Sequence, residues 1–128
     1  MRRSTFFKTL FGLPFGGVLA KLFQSKNDKP EYLLNKFYVT GFQYYEGPSL
    51  IDEIKVGEQL ILVVYPDNEY DKFAVEIYRN DIMLGHIPRT DNKHISRMLQ
   101  QNVSLFCEVI EVNPDRKPWK MLKVEVWL

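Results

Sequence analysis

From Asn35 onward the chain is written in short blocks rich in Val, Ile, Phe, Tyr and Leu, covering 35–45, 59–66, 73–79, 82–87, 103–112 and 119–128. Lys123-Val124-Glu125-Val126 alternates polar and apolar, the period of a strand with one wet face. Between the blocks stand Gly47-Pro48, Pro66-Asp67-Asn68, Asn80-Asp81 and Asn113-Pro114-Asp115, all of them turn chemistry. Asn80-Asp81 separates two blocks by two residues that tolerate positive φ, which predicts a tight hairpin. One helix interrupts the series. Ile95, Met98 and Leu99 recur at i, i+3 and i+4, with Asp91-Asn92 placed to cap the start and Asn102 to end it. Six short strands and one short helix predict an all-β domain, a small, partly closed six-stranded barrel, with a sandwich as the alternative.

Composition sets the scale. The chain has 128 residues and 45% are hydrophobic, enough for one domain with a buried core. This excludes a collagen-like chain, a disulfide scaffold and a mostly disordered chain. With Cys107, His86 and His94 as its only sulfhydryl and imidazoles, a closed four-ligand zinc site would need carboxylates as well. No metal or cofactor is expected.

The formal charge of +1 hides an asymmetry. Residues 1–30 hold six basic side chains against the single acid Asp28, whereas residues 31–128 hold 11 basic and 15 acidic ones. We therefore divide the chain into a basic, apolar N-terminal segment with its linker, 1–31, and a domain, 32–128. The first segment has a basic start, an apolar run over 9–20, and Val18-Leu19-Ala20 as a loose small-residue cleavage site. Arg2-Arg3 followed by Phe6-Phe7-Lys8 resembles a twin-arginine export signal. The apolar run is shorter than the ~20 residues of a transmembrane helix. Two readings stand side by side. One is a cleaved signal on an exported or membrane-associated protein. The other is an arm of a cytoplasmic protein whose residues 1–24 lie on a membrane surface, on nucleic acid or on the domain.

No Gly-x-Ser-x-Gly elbow, phosphate loop, dinucleotide fingerprint or His-Glu-x-x-His is present in the sequence. Cys107 lies in an apolar run and reads as a small buried thiol. The domain is therefore expected to be no enzyme, and a small hydrolase built on His86 and Asp71 is the weakest alternative. Three clusters carry more chemistry: Gln43-Tyr44-Tyr45-Glu46-Gly47, the loop from Pro66 through Asn68, Tyr70 and Asp71 to Lys72, and Gly85-His86-Ile87-Pro88-Arg89. Each falls where a strand gives way to a loop, where small barrels bind ligands. Adjacent tyrosines at a strand end point to opposite faces. One of Tyr44 and Tyr45 is thus expected in the core and the other as a stacking platform, worth ~1–3 kcal/mol per base. Rim packing with wet hydroxyls is the alternative.

At these residues the sequence resembles the HIRAN domain, a small module at the N-terminus of some Snf-type DNA helicases and in free-standing bacterial proteins. The likeness rests on Val39-x-Gly-Phe-x-Tyr-Tyr-x-Gly47, on Pro66-x-Asn-x-Tyr-Asp-Lys72 followed by Ala74-Val75, and on Gly85-His-Ile-Pro-Arg89. It covers about Lys36 to Trp127. The resemblance implies an OB-like β-barrel that binds single-stranded DNA at its free 3′ end. By motif position, Tyr44 and Tyr45 would pack on the terminal nucleotides, Gln43 would stand at a phosphate contact that is basic in the DNA-end-binding members, and Asn68, Tyr70 and Asp71 would line the end pocket. Asp71 would accept a hydrogen bond from the 3′-hydroxyl, whereas a 3′-phosphate would set two anions together. Lys72, His86 and Arg89 would follow the backbone, and Trp119 would supply a further aromatic. A peptide or small ligand in the same pocket is the alternative for an exported protein.

Overall fold

Leu122, Val124 and Val126 are buried while Lys123, Glu125 and Trp127 between them are not, so strand β6 (Leu122–Trp127) keeps one face in the core. The computed structural model describes residues 30–128. The N-terminal arm or export-signal reading falls outside the described residues. Within Tyr32–Leu128, which forms one compact unit, β6 lies between β1 (Leu33–Tyr38) and β5 (Phe106–Val112), antiparallel to both. With β2 (Gln59–Val64), β3 (Val75–Arg79) and β4 (Ile82–His86) they form one row in the order β1-β6-β5-β2-β3-β4.

The row curls until its ends meet. Thr40, two residues beyond β1, exchanges both backbone hydrogen bonds with His86 at the end of β4, each 2.9 Å long. The result is the expected all-β, OB-like, partly closed barrel. The seam between β2 and β5 pairs Gln59 with Glu108 and Leu60 with Cys107, and continues just before β2, where Val109 donates to the Glu58 carbonyl at 2.9 Å and accepts from the Gly57 N–H at 2.8 Å. Helix α2 (Arg89–Gln100) packs on β2 and β3 and buries Ile95, with Met98 and Leu99 half-buried on the same face. Full burial of an Ile side chain is worth about 1.5–3 kcal/mol. Phe42, Ile77, Leu84, Ile95 and Val124 are fully buried at the centre of the core.

The hairpin at Asn80-Asp81 is present, with Arg79 paired to Ile82 and Asn80 at φ 56°. Asn102 takes φ 67° just beyond the helix, as its reading as a terminator requires. Several boundaries differ from expectation. The helix starts earlier: extended Pro88 precedes it, the Asp91 N–H bonds the Pro88 carbonyl at 2.8 Å, and neither Asp91 nor Asn92 caps the first turn. Proline's fixed φ suits that junction, which leaves Asn92 one turn inside the helix. Strand β5 begins at Phe106 rather than at residue 103, and β6 at Leu122 rather than at 119.

The largest difference is at the end of the first block. Strand β1 stops at Tyr38, and Gly41 takes φ 74°, a conformation that glycine adopts at little cost. A 3-10 turn (Phe42–Tyr44) and a one-turn helix α1 (Gly47–Leu50) follow. The turn directs Phe42 inward, where its ring fills the space that a Cβ on Gly47 would need. Neither Tyr44 nor Tyr45 enters the core. The expectation of one buried tyrosine is therefore corrected: Phe42 takes that place because the strand has ended before the tyrosines are reached.

Candidate functional site

Both tyrosines consequently stand on the surface beside the closing bridge. Tyr44 is 77% exposed and lines an open groove of about 610 Å³ together with Tyr38, Gln43, Pro88, Thr90 and Trp119. Trp119 was expected at the start of a strand. It instead sits in the 3-10 turn Pro118–Lys120, 52% exposed, and so faces the same groove. The β5–β6 connection and the start of β6 bring cations to the rings of this groove. The Lys117 ammonium lies 5.9 Å from the Trp119 ring centre, and Arg116 and Lys123 lie 5.9 and 5.1 Å from that of Tyr38. Arg116 Nη1 donates to the Tyr38 hydroxyl at 3.2 Å. The hydrogen bond from Asn113, aided by Lys123 and Arg116, holds the Glu111 carboxyl below its ordinary range.

Tyr45 packs toward His86, with ring centres 6.0 Å apart and planes tilted by 56°. The Thr40–His86 bridge thus carries the tyrosine turn on one strand and His86 on the other. Three residues past His86, Arg89 reaches a third group. Its Nε lies 3.6 Å from Asp71 Oδ2, and its Nη2 donates to the Tyr70 carbonyl at 3.3 Å.

Asp71 is the most fixed of the candidates. Its Oδ1 accepts from the Phe73 N–H at 2.9 Å and its Oδ2 from Asn92 Nδ2 at 2.7 Å, with the side chain 16% exposed. A carboxylate has roughly four lone-pair sites, so these two bonds leave acceptor capacity toward solvent. Asn68 Oδ1 accepts from the N–H groups of Tyr70 and Asp71 at 2.8 and 3.0 Å. It shapes the loop, as asparagine does in turns. That loop leaves Tyr70 80% exposed.

The structure therefore groups Gln43, Tyr44 and Trp119 at one groove, Tyr45 with His86, and Asn68, Tyr70, Asp71 and Arg89 in one loop cluster. Lys72 stands apart, its ammonium 5.3 Å from the Phe73 ring centre. Sequence reasoning missed Asn92, taken as a cap but 3% exposed and bonded to Asp71. It also missed the basic turn around Arg116 and Lys117, which charge counting over 115–123 reveals.

Among the described residues no hydrogen bond joins His86 to Asp71. Nor do three His, Cys, Asp or Glu side chains gather as a metal ion would require. No helix among them is long and apolar enough to cross a membrane. Cys107 is buried, and burial pushes its thiol up to about 12. Since the thiolate is the reactive form, Cys107 should resist an aromatic disulfide reagent at about pH 8 in the native protein and react fully in denaturant. Stoichiometric reaction of the native protein at the rate of a free thiol would contradict that burial.

The comparisons agree with this architecture. The profile of the HIRAN domain family matches residues 34–128. No curated protein sequence matches the chain. A crystal structure of a protein from Lactobacillus plantarum is similar, with a TM-score of 0.65 and 21% identity over 75% of this chain and 92% of that one. The crystal structure of the HIRAN domain of human HLTF is similar with a TM-score of 0.55 and 19% identity, covering 77% of this chain and 79% of that one. At these identities the likeness concerns the fold.

Proposed function

The chain belongs to the HIRAN domain family, and from that premise we propose that it binds single-stranded DNA at a free 3′ end. HIRAN domains are in general DNA-binding modules rather than catalysts. The observation that carries the reading for this chain is the open groove where Tyr44 and Trp119 stand exposed beside Arg116, Lys117 and Lys123. Exposed rings give bases a sequence-tolerant surface to stack on, and the cations beside them suit the phosphates. Lys123 is paired with Glu111 and Asp91 also lines the groove, so Arg116 and Lys117 supply the local positive charge within the excess of acids over 31–128.

In this reading terminal bases stack on Tyr44 and Tyr45, Trp119 supports the groove's far side, and Lys72, His86 and Arg89 follow the backbone. Asp71 accepts a hydrogen bond from the 3′-hydroxyl. A phosphorylated end is rejected because it brings a second anion to the carboxylate. Fluorescence anisotropy of the full chain with one labelled oligonucleotide, its 3′ end free or phosphorylated, tests the reading. Tighter binding of the free end is expected; equal binding of both ends removes end recognition, and no binding removes DNA as the ligand. Tyr44→Ala should weaken binding by roughly 5- to 150-fold, the value of one stacked base, and leave thermal unfolding unchanged because the ring is exposed. Wild-type affinity in that variant would take Tyr44 out of the interface.

A further inference from the structure

Helix α2 carries Arg89, Lys93 and Arg97 at i, i+4 and i+8, a spacing that places them along one face. Asp91 lies on another side of the helix, where it accepts from Asn35 at 2.9 Å. Lys93 and Arg97 converge with Lys72 on a single ring. Their charged groups lie 5.5, 5.4 and 5.3 Å from the centre of Phe73. None of these three cations has a carboxylate within 4.0 Å among the described residues, while Arg79 has two such partners and Arg89, Lys36 and Lys123 one each. Like charges at i, i+4 destabilise a helix by about 0.2–0.5 kcal/mol, and a third cation on the same ring adds to that repulsion. A surface with more acids than bases thus leaves these three cations unpaired.

The cluster also adjoins the proposed end pocket. The Phe73 N–H is held by Asp71 Oδ1, and Arg89 at the head of the ridge faces Asp71 Oδ2. From Arg89 to Arg97 the helix rises about 12 Å, the length of roughly three phosphates of a stacked strand at about 3.4 Å each. We propose that the Lys72–Lys93–Arg97 cluster around Phe73 is a second contact surface, which carries the sugar-phosphate backbone of the strand leading away from the bound end. Phe73 acts as the spacer that fixes the three cations at one height. This rests on the reading of the protein as a single-strand binder and adds to it a track that reads length rather than the end.

Neutralising part of the track gives a signature distinct from losing the end pocket. Each single-strand phosphate contact contributes about 0.7 to the slope of log affinity against log salt, so Lys93→Gln/Arg97→Gln should make the slope shallower by about 1.4. The probes are two labelled oligothymidines with free 3′ ends, one of two nucleotides, whose single internucleotide phosphate covers only about 3.4 Å, and one of about 12, so that only the longer spans the ridge. The full chain is titrated with both over a salt series, beside Lys36→Gln/Lys55→Gln, which removes the same net charge elsewhere. The expected result is a shallower slope for the long probe with the ridge variant, the wild-type slope for the short one, and an unchanged preference for a free over a phosphorylated end. An unchanged long-probe slope, or an equal loss with the Lys36/Lys55 variant, overturns the track while wild-type end binding stands. Failure of the wild type to bind the short probe overturns the end-binding reading itself. Loss of binding to phosphatidylserine vesicles in the ridge variant, with DNA binding intact, assigns the cluster to a lipid surface instead.

Discussion

Gly85→Ala should lower the stability of the domain by roughly 3 kcal/mol or more, and its DNA binding should fall with it. Gly85 takes φ +152°, and a Cβ there would overlap the Thr40 carbonyl oxygen and lie 2.7 Å from Val39 Cγ1. Two costs add. The backbone conformation is one that residues with a side chain adopt at about 1–3 kcal/mol, and the clash falls on backbone that no rotamer change can move. Relief requires Thr40 to back away from β4, which breaks the pair of bonds between Thr40 and His86. That pair joins the two ends of the strand row, and it also holds the Tyr44–Tyr45 turn beside His86 and Arg89. Loss of about 3 kcal/mol in a domain of this size moves the melting temperature by about 12–24 °C. Chemical denaturation and thermal melting of the variant measure the effect. A variant within about 1 kcal/mol of wild type would show that the closing bridge adds little, and that the barrel is held by the β1–β6–β5 and β2–β3–β4 layers alone.

That bridge also separates what the sequence discloses from what it conceals. Short-range features were legible. The alternation over 122–127, the positive φ at Asn80 and the spacing of Ile95, Met98 and Leu99 each follow from residues a few positions apart, and the structure contains all three. The order of motifs also gave the barrel class, because turn residues between strand-like blocks survive any arrangement of the core. Features set by distant partners were not legible. Gly41 reads as one more residue in an extended block until Phe42 is known to fit against Gly47 and Thr40 against His86. Asn92 has the chemistry of a cap, and only a partner 21 residues away shows that it holds a carboxylate. The site mixes both kinds. Its residue types were visible as clusters at block ends, while their division into a groove, a ring pair and a loop cluster depends on closure of the barrel. The basic ridge is a third case: the period of Arg89, Lys93 and Arg97 is plain in the sequence, but its meaning needs Phe73 beside Lys93 and Arg97 and the absence of acids paired with those two.

Asp71→Asn should collapse the preference for a free 3′-hydroxyl over a 3′-phosphate, mainly by letting the phosphorylated end bind. A hydroxyl that donates to a carboxylate gains about 1–1.5 kcal/mol over a neutral acceptor. The preference is therefore expected to shrink by roughly 5- to 13-fold from that bond, and further as the repulsion of the phosphate is lifted. The substitution also disturbs the fold, and the structure says how. The Asp71 carboxylate accepts from the Phe73 N–H and from Asn92 Nδ2. An amide that keeps its oxygen on the Phe73 N–H turns its NH2 toward Asn92, so the bond to Asn92 is lost, at about 1–3 kcal/mol, unless Asn92 flips its own amide to accept. The ion pair with Arg89 adds little to that cost, because the Arg89 side chain is 78% exposed. Asn92→Ala separates the two effects, since it removes the same hydrogen bond and keeps the negative charge. If the charge reads the end, Asn92→Ala melts early and keeps the preference, and only Asp71→Asn binds the phosphorylated oligonucleotide as well as the free one. Equal loss of preference in both would mean that Asp71 serves the end pocket only by holding the loop in shape. Retention of the wild-type preference in Asp71→Asn would place the recognition of the hydroxyl elsewhere.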